Sequence, residues 1–214
     1  MDTYQNRFKR ADKLDLNVVG VDDGSFPASK TTREHALLIA VLMRRSKIRG
    51  LRVGAIEVDG TDARTVLKSL VRALSSDLVM LSGISFAGFN VIDISKLAYE
   101  LKKPIIAISG DRPDNRAVRK ALKDHFADWE TRWRCVRSAG KLYTCKPLKD
   151  EPKLYFEVKG ATPDYARSVI MRTAVISRLP EPIRVARIMA KGLSSLGHYN
   201  RGPRVFHPVS RGKG

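Results

Sequence analysis

The sequence predicts an α/β fold: a three-strand antiparallel meander extended by parallel strands into one mixed sheet and flanked by helices. Three observations carry this. The apolar stretches 35–43 and 48–58 are separated only by the polar break "RRSK", the spacing of a hairpin, and 17–22 supplies a strand before them. Beyond them, strand-length apolar runs at 77–81, 104–109 and 154–158 alternate with amphipathic segments of helical period. Strands separated by helices call for parallel pairing through crossovers. Three strands, then helix, strand, helix, strand and helix, is the ribonuclease-H-like order.

Each element has its own signal. Residues 17–22 are a short buried strand that ends in two adjacent acids, Asp22 and Asp23. The run "HALLIAVLM" fits helix or strand by periodicity, and the break and apolar stretch that follow favour strand. Asp59-Gly60 closes a turn. Residues 62–74 place Ala63, Val66, Leu67, Leu70, Val71 and Leu74 on one helical face, with Thr61 or Asp62 as cap. The strand "DLVML" runs into a glycine-rich loop, "SGISFAGFN", and a short helix near 95–102 leads to the strand "PIIAIS". "PDNRAVRKALKDHF" repeats the helical pattern. Cys135 and Cys145 are equidistant from Gly140 and are read as reduced thiols facing each other across a hairpin turning at Ser138–Lys141. "LYFEV" is a further strand, Thr162-Pro163 opens a helix, and Pro180–Pro182 opens the last one. The expected organisation is a polar leader (1–16), one domain (17–196) and a basic, disordered tail (197–214).

Charge narrows the partner. Forty basic residues against 22 acidic ones give +18 over 214 residues, with a pI near 10.2. Such an excess favours a polyanion, nucleic acid first. Charge does not separate DNA from RNA; it is the family resemblance given below that implies DNA in preference to RNA. A membrane is not expected as partner, since no stretch approaches the roughly 18 apolar residues of a spanning helix. The opening "MDTYQNRFKRADK" lacks the apolar core of a secretion signal, so the chain is read as cytoplasmic. Its oligomeric state is not legible.

The acids fall where such a sheet would gather them. Asp22 and Asp23 end the first strand. Glu57 and Asp59 end the third and share a face if the strand stays regular. Asp93 follows the glycine-rich loop. Carboxylates converging from separate strands are what Mg²⁺ or Mn²⁺ needs, and a metal so held can activate water and stabilise charge on a phosphoryl group. Plainer readings stand beside this one. "VDDG" and "VDG" are also turn sequences, and Asp93 is placed to cap the helix after it.

In the loop, Phe86 and Phe89 can stack on an unpaired base or pin the loop to the core, and Asn90 can read a base edge or cap a turn. In "EPIRVARIMAKG", Arg184, Arg187 and Lys191 form a basic stripe at helical spacing. With the tail's Arg201, Arg204, Arg211 and Lys213 they are candidates for phosphate contact. His35, His125, His198 and His207 show no triad or metal spacing.

The segments "GVDDGSF", "EVDGTDA", "LSGISFAGFNVIDI" and "SRLPEPIRVARIMAKG" resemble, in order from about residue 17 to 193, the archaeal endonuclease dU family. That family is more distantly similar to endonuclease V, a ribonuclease-H-like nuclease acting near deaminated bases. The resemblance implies a divalent-metal-dependent endonuclease acting in DNA repair, with Asp22 as the strand-end metal ligand. Asp59, or second Glu57, corresponds to the acid ending the third strand. Asp23 or Glu57 would hold a second ion or orient the water. Phe89 and Asn90, with Phe86 and Ser82 nearby, would line a base pocket, and Arg178, Arg184, Arg187 and Lys191 would hold phosphates. Two positions depart from endonuclease V. Ser82 stands where it has a metal-binding aspartate, and Arg187 where it has an acid or histidine. Neither can replace a carboxylate as ligand. Either Asp23 or Asp93 compensates, or the protein binds nucleic acid without cutting it.

Overall fold

A computed structural model describes residues 15–25 and 35–195. The basic tail, with His198 and His207, and most of the polar leader lie outside the described residues.

Strands β1 (Asn17–Asp23), β2 (His35–Arg44) and β3 (Lys47–Glu57) form the expected meander, β2 antiparallel to both neighbours. Helix α1 (Ala63–Arg72) leads to β4 (Leu78–Leu81), which pairs parallel with β1. The two-residue strands β5 (Ser85–Phe86) and β6 (Asn90–Val91) form a small hairpin within the glycine-rich loop. Helix α2 (Ile94–Leu101) then carries the chain to β7 (Ile105–Ser109), parallel to β4. After α3 (Asn115–His125) and α4 (Trp129–Ser138) come β8 (Tyr143–Cys145) and β9 (Leu154–Lys159). Helices α5 (Pro163–Thr173) and α6 (Glu181–Ser194) complete the described chain. The main sheet has the order β3-β2-β1-β4-β7-β9-β8, with β9 antiparallel to both β7 and β8.

Alternation along the strands sorts side chains onto two faces. Val19 and Val21 of β1 join Val79, Leu81, Ile105 and Ala107 beneath α1 and α2. Val18, Met80, Ile106 and Phe156 face α5, while Ile39 and Val41 meet Ala186 and Ala190 of α6. Gly20 lies under the start of α6, so close that a Cβ there would overlap the Pro182 carbonyl. The missing side chain lets α6 lie directly on β1, and this sets the height of everything α6 carries.

Two expectations are corrected. Cys135 sits on helix α4, not on a hairpin, and only Cys145 is on a strand; both are free thiols. Asp128 precedes the helix, Trp129, Trp133 and Val136 follow at i, i+4 and i+7, and Gly140 (φ +87°) ends the turn after it. The helical period was present but hidden by the buried Arg132, whose guanidinium donates to Asp128 and to the carbonyls of Gly60 and Phe89. Second, β3 does not stay regular to Asp59. It ends at Glu57, and Asp59 is left-handed (φ +56°) in the turn, so the two acids do not share a strand face.

Candidate functional site

Because β1, β4 and β7 run parallel, their carboxyl ends form one edge, the place where open α/β sheets bind ligands. Asp22 and Asp23 end β1 there, and alternation sends them opposite ways. Asp22, 5% exposed, lies on the α6 face, where its Oδ2 accepts from Arg187 Nε at 2.7 Å and its Oδ1 accepts from the Asp23 amide. The same guanidinium donates from Nη2 to Ser82 Oγ at 2.8 Å. Ser82 is fixed at the end of β4 by its own amide, which donates to the Val21 carbonyl. One arginine thus bridges the ends of two parallel strands.

Asp23 faces the other way and accepts from the Ala87 amide at 2.6 Å, tying the glycine-rich loop to the sheet. Burial, with Asp22 next to it, pushes its carboxyl up to about 6 despite the bond from Ala87. Asp59 holds the same loop from outside. Its amide donates to the Ala87 carbonyl, and its Oδ1 accepts from the Phe89 amide at 2.8 Å. Gly88 (φ +82°) passes so close to Asp59 Oδ1 that a Cβ would collide with it, which accounts for the glycine in "FAGFN".

The remaining candidates sort as follows. Asp93 caps α2, accepting from Lys96 N and from Ser138 Oγ. Asn90 is fully buried and does not reach a base. Its Oδ1 accepts from Ala63 N, and its Nδ2 donates to the Glu57 carbonyl and to Asp62, stitching the loop to the β3–α1 turn. Phe86, 1% exposed, is core and cannot stack on a base. Phe89 is half-buried, its ring braced edge-on by Phe126 at 5.5 Å. Arg184 pairs with the buried Glu181 at 2.7 Å, and Arg178 donates to the carbonyls of Gly110 and Lys153. Lys191 is exposed.

The five acids do not assemble into a ligand set. No group of three or more metal-ligating side chains comes together among the described residues. Asp22 is neutralised by Arg187, and Asp23 points to the opposite face. Asp59 and Asp93 are spent on the loop and the α2 cap, and Glu57 lies on the far side of the meander from β4. Where a cation would be needed beside Asp22, the chain supplies its own. As packed, these residues do not fit Mg²⁺ or Mn²⁺.

On the face opposite α6, the same edge opens into a cavity of about 510 Å³. Gly83 (φ +90°), one residue beyond Ser82, turns the chain over the edge and forms its rim. Phe89 and Trp133 contribute aromatic wall, and Arg137 and Glu157 contribute charge. Glu157 reaches it because Leu154 and Phe156 alternate into the α5-side core, leaving Glu157 on the other face of β9. Burial pushes its carboxyl up to about 7. Sequence reading did not single out Glu157 or Trp133. The alternation in "LYFEV" carried the signal for the first, and the misread α4 concealed the second.

The sequence model of the endonuclease dU family matches residues 15–194. A UPF0215 protein of Thermococcus sibiricus is 37% identical over 188 residues, covering 86% of this chain and 94% of the relative. One from Methanopyrus kandleri is 37% identical over 187 residues, covering 85% and 93%. Among solved structures, a protein of unknown function from Archaeoglobus fulgidus superposes with a TM-score of 0.73 at 25% identity, over 83% of this chain and 98% of that one. Endonuclease V of Bacillus subtilis gives 0.58 at 12% identity over 92% of each chain. Endonuclease V of Ciona intestinalis, in complex with DNA containing an inosine followed by a ribo-adenosine, gives 0.56 at 15%, over 90% and 96%. At these identities the endonuclease V likeness is one of fold.

Proposed function

This chain belongs to the endonuclease dU family, and from that premise we propose that it hydrolyses phosphodiester bonds in nucleic acid at the joined ends of β1 and β4. The observation that carries the reading is the meeting of Asp22, Ser82 and Arg187 at that edge, in a protein of net charge +18. Arg187 spends two of the five N–H donors of a guanidinium on Asp22 and Ser82. The rest suit non-bridging phosphate oxygens and the charge that grows on them as water attacks phosphorus. The attacking water gives its proton to bulk solvent, since Asp23 faces away from Arg187 and accepts from the Ala87 amide. The phosphorus–oxygen bond to the departing sugar then breaks, and its oxygen is protonated from solvent. Asp22 holds Arg187 in place. Exposed Lys191 extends the basic surface.

DNA is the proposed polymer and a deaminated base such as deoxyuridine the proposed mark, by extension from the family and from the inosine-containing DNA bound by the Ciona enzyme. No step is routed through a metal, because the packed side chains do not present its ligands. A second reading, binding without hydrolysis on the same scaffold, is favoured by one specific observation: Asp22 is already consumed by Arg187.

The test is a cleavage survey on end-labelled oligonucleotides. Single- and double-stranded DNA and RNA are compared, each plain, with deoxyuridine or uridine, or with inosine. Mg²⁺, Mn²⁺ and EDTA lanes run throughout, with gel shifts in parallel. Cutting confined to deaminated DNA supports the proposed substrate. Intact substrates in every lane, with shifts that weaken steeply as salt rises, leave the binding reading in its place.

A further inference from the structure

We infer that the shallow depression between the end of α2 and the start of β7 is a second contact for single-stranded nucleic acid. Tyr99 stacks on one base there, and Lys102 and Lys159 hold the flanking phosphates. The inference rests on the nucleic-acid reading above and extends the strand's path beyond the strand-end site. Ser95, Tyr99, Lys102, Lys103, Lys159 and Gly160 line the depression, about 330 Å³ in volume. Because β9 is antiparallel to β7, its last residue, Lys159, returns to pair with Ile105, the first of β7. Gly160 (φ +77°) passes so close to Lys103 that a Cβ there would lie 3.2 Å from the Lys103 carbonyl. Lys159 and Lys103 are thereby brought together, on the edge of the sheet opposite Asp22 and Arg187.

Charge and shape point to the ligand. Among the described residues no carboxylate forms an ion pair with Lys102, Lys103 or Lys159. Glu100, next to Tyr99 in the chain, is taken by Arg64 and Lys68 of α1. Lys103 donates to the Ser76 carbonyl, which fixes it in the floor of the depression. The site is thus a patch of positive charge with no anion of its own. Tyr99 stands in it 84% exposed. A single exposed aromatic residue is ordinary on a protein surface. A ring surrounded by lysines is the pairing that single strands use, base on ring and phosphate on ammonium.

Backbone strain is the independent observation. Lys102 ends α2 in the left-handed conformation (φ +53°), a place that suits glycine and is unfavourable for lysine. A strained residue whose replacement by glycine would relax the chain is one held for its side chain, here its charge. The path to the strand ends is short. Lys159 Nζ overhangs Gly140, which also lines the cavity at the strand-end edge, so the two sites adjoin along one face. β7 spans five residues, about 17 Å at about 3.3 Å per residue. At about 3.4 Å per nucleotide, a strand held by Arg187 needs at least about five more nucleotides to reach Tyr99.

The experiment measures binding and not cleavage. The full chain is titrated in EDTA, from about 50 to 200 mM salt, against a fluorescein-labelled 15-nucleotide oligothymidylate and a 15-base-pair duplex, and anisotropy is read. Tyr99→Ala is expected to weaken the single strand about 10-fold with its salt dependence unchanged, and the duplex, whose bases are already stacked, by less than twofold. Lys102→Gly is expected to lower the slope of log K against log salt by about 0.7 for the single strand, and Lys102→Gly with Lys159→Ala by about 1.4. Since glycine suits the backbone at 102, the urea midpoint of Lys102→Gly should equal or exceed that of wild type, which separates lost contact from lost fold. Wild-type affinity in Tyr99→Ala, equal losses on single strand and duplex, or an unchanged slope in the double variant overturns the proposal. Those results in a wild type that binds leave the nucleic-acid reading standing; a wild type that binds neither probe at low salt sinks both.

Discussion

Removing the guanidinium from Asp22 is the sharpest perturbation the fold offers. Arg187→Met keeps most of the stem packed on β1 but leaves a carboxylate, 5% exposed, with only the Asp23 amide for a partner. Stripping one member from a fully buried pair costs about 3–5 kcal/mol. Here the Arg187 side chain is 43% exposed and Asp22 only 6%, so water already screens one end of the 2.7 Å contact. A cost of about 2 kcal/mol follows, or about 4–8 °C in Tm for a chain of this size. Urea denaturation of wild type, Arg187→Met, Asp22→Asn and the double variant closes a double-mutant cycle. The coupling expected is about 1–2 kcal/mol, with the double variant more stable than the sum of the singles predicts. Additivity within about 0.5 kcal/mol would refute the reasoning, because the bridge between the two strand ends would then hold nothing.

Further consequences are open to measurement. Gly20→Ala forces a Cβ into the Pro182 carbonyl, so α6 must lift from β1; a loss above about 4 kcal/mol, read by urea unfolding or failure to accumulate folded protein, is expected. Asn90→Ala strands the buried Ala63 amide and empties a fully packed position, costing about 2–3 kcal/mol by the same measurement. Asp23 has a folded pKa raised from 3.8 to about 6, so the native state binds the extra proton. Its contribution is complete below about pH 4 and is lost as pH rises through 6, on the order of 2–3 kcal/mol. The stability of wild type relative to Asp23→Asn, followed by urea midpoints from pH 4 to 8, therefore falls across that window.

The sheet was legible because its signals are local. Apolar runs with turn residues between them marked β1 to β4, and the cap-then-proline arrangement marked α5. The site was legible only in outline. That Asp22 and Asp23 end a strand is written in "VVGVDDG"; that one meets Arg187 and the other Ala87 depends on which face α6 covers, a tertiary fact. Asp59 and Asn90 drew attention as chemistry but serve to position the "FAGFN" loop, since a polar residue stitching a loop and one reading a ligand look alike in sequence. The cysteine segment misled because a buried arginine interrupts the apolar face of α4, and its partners, the carbonyls of Gly60 and Phe89, lie far away in the chain.

The measurement that bears most directly on the proposed activity is single-turnover cleavage of an end-labelled DNA strand carrying one deoxyuridine, by wild type and Asp22→Asn side by side, with Mg²⁺, Mn²⁺ or EDTA. A discrete cut by wild type near the deoxyuridine, reduced at least 100-fold in Asp22→Asn while gel-shift affinity changes little, is the predicted result. An intact strand in every lane, or cutting that survives Asp22→Asn unchanged, would contradict it.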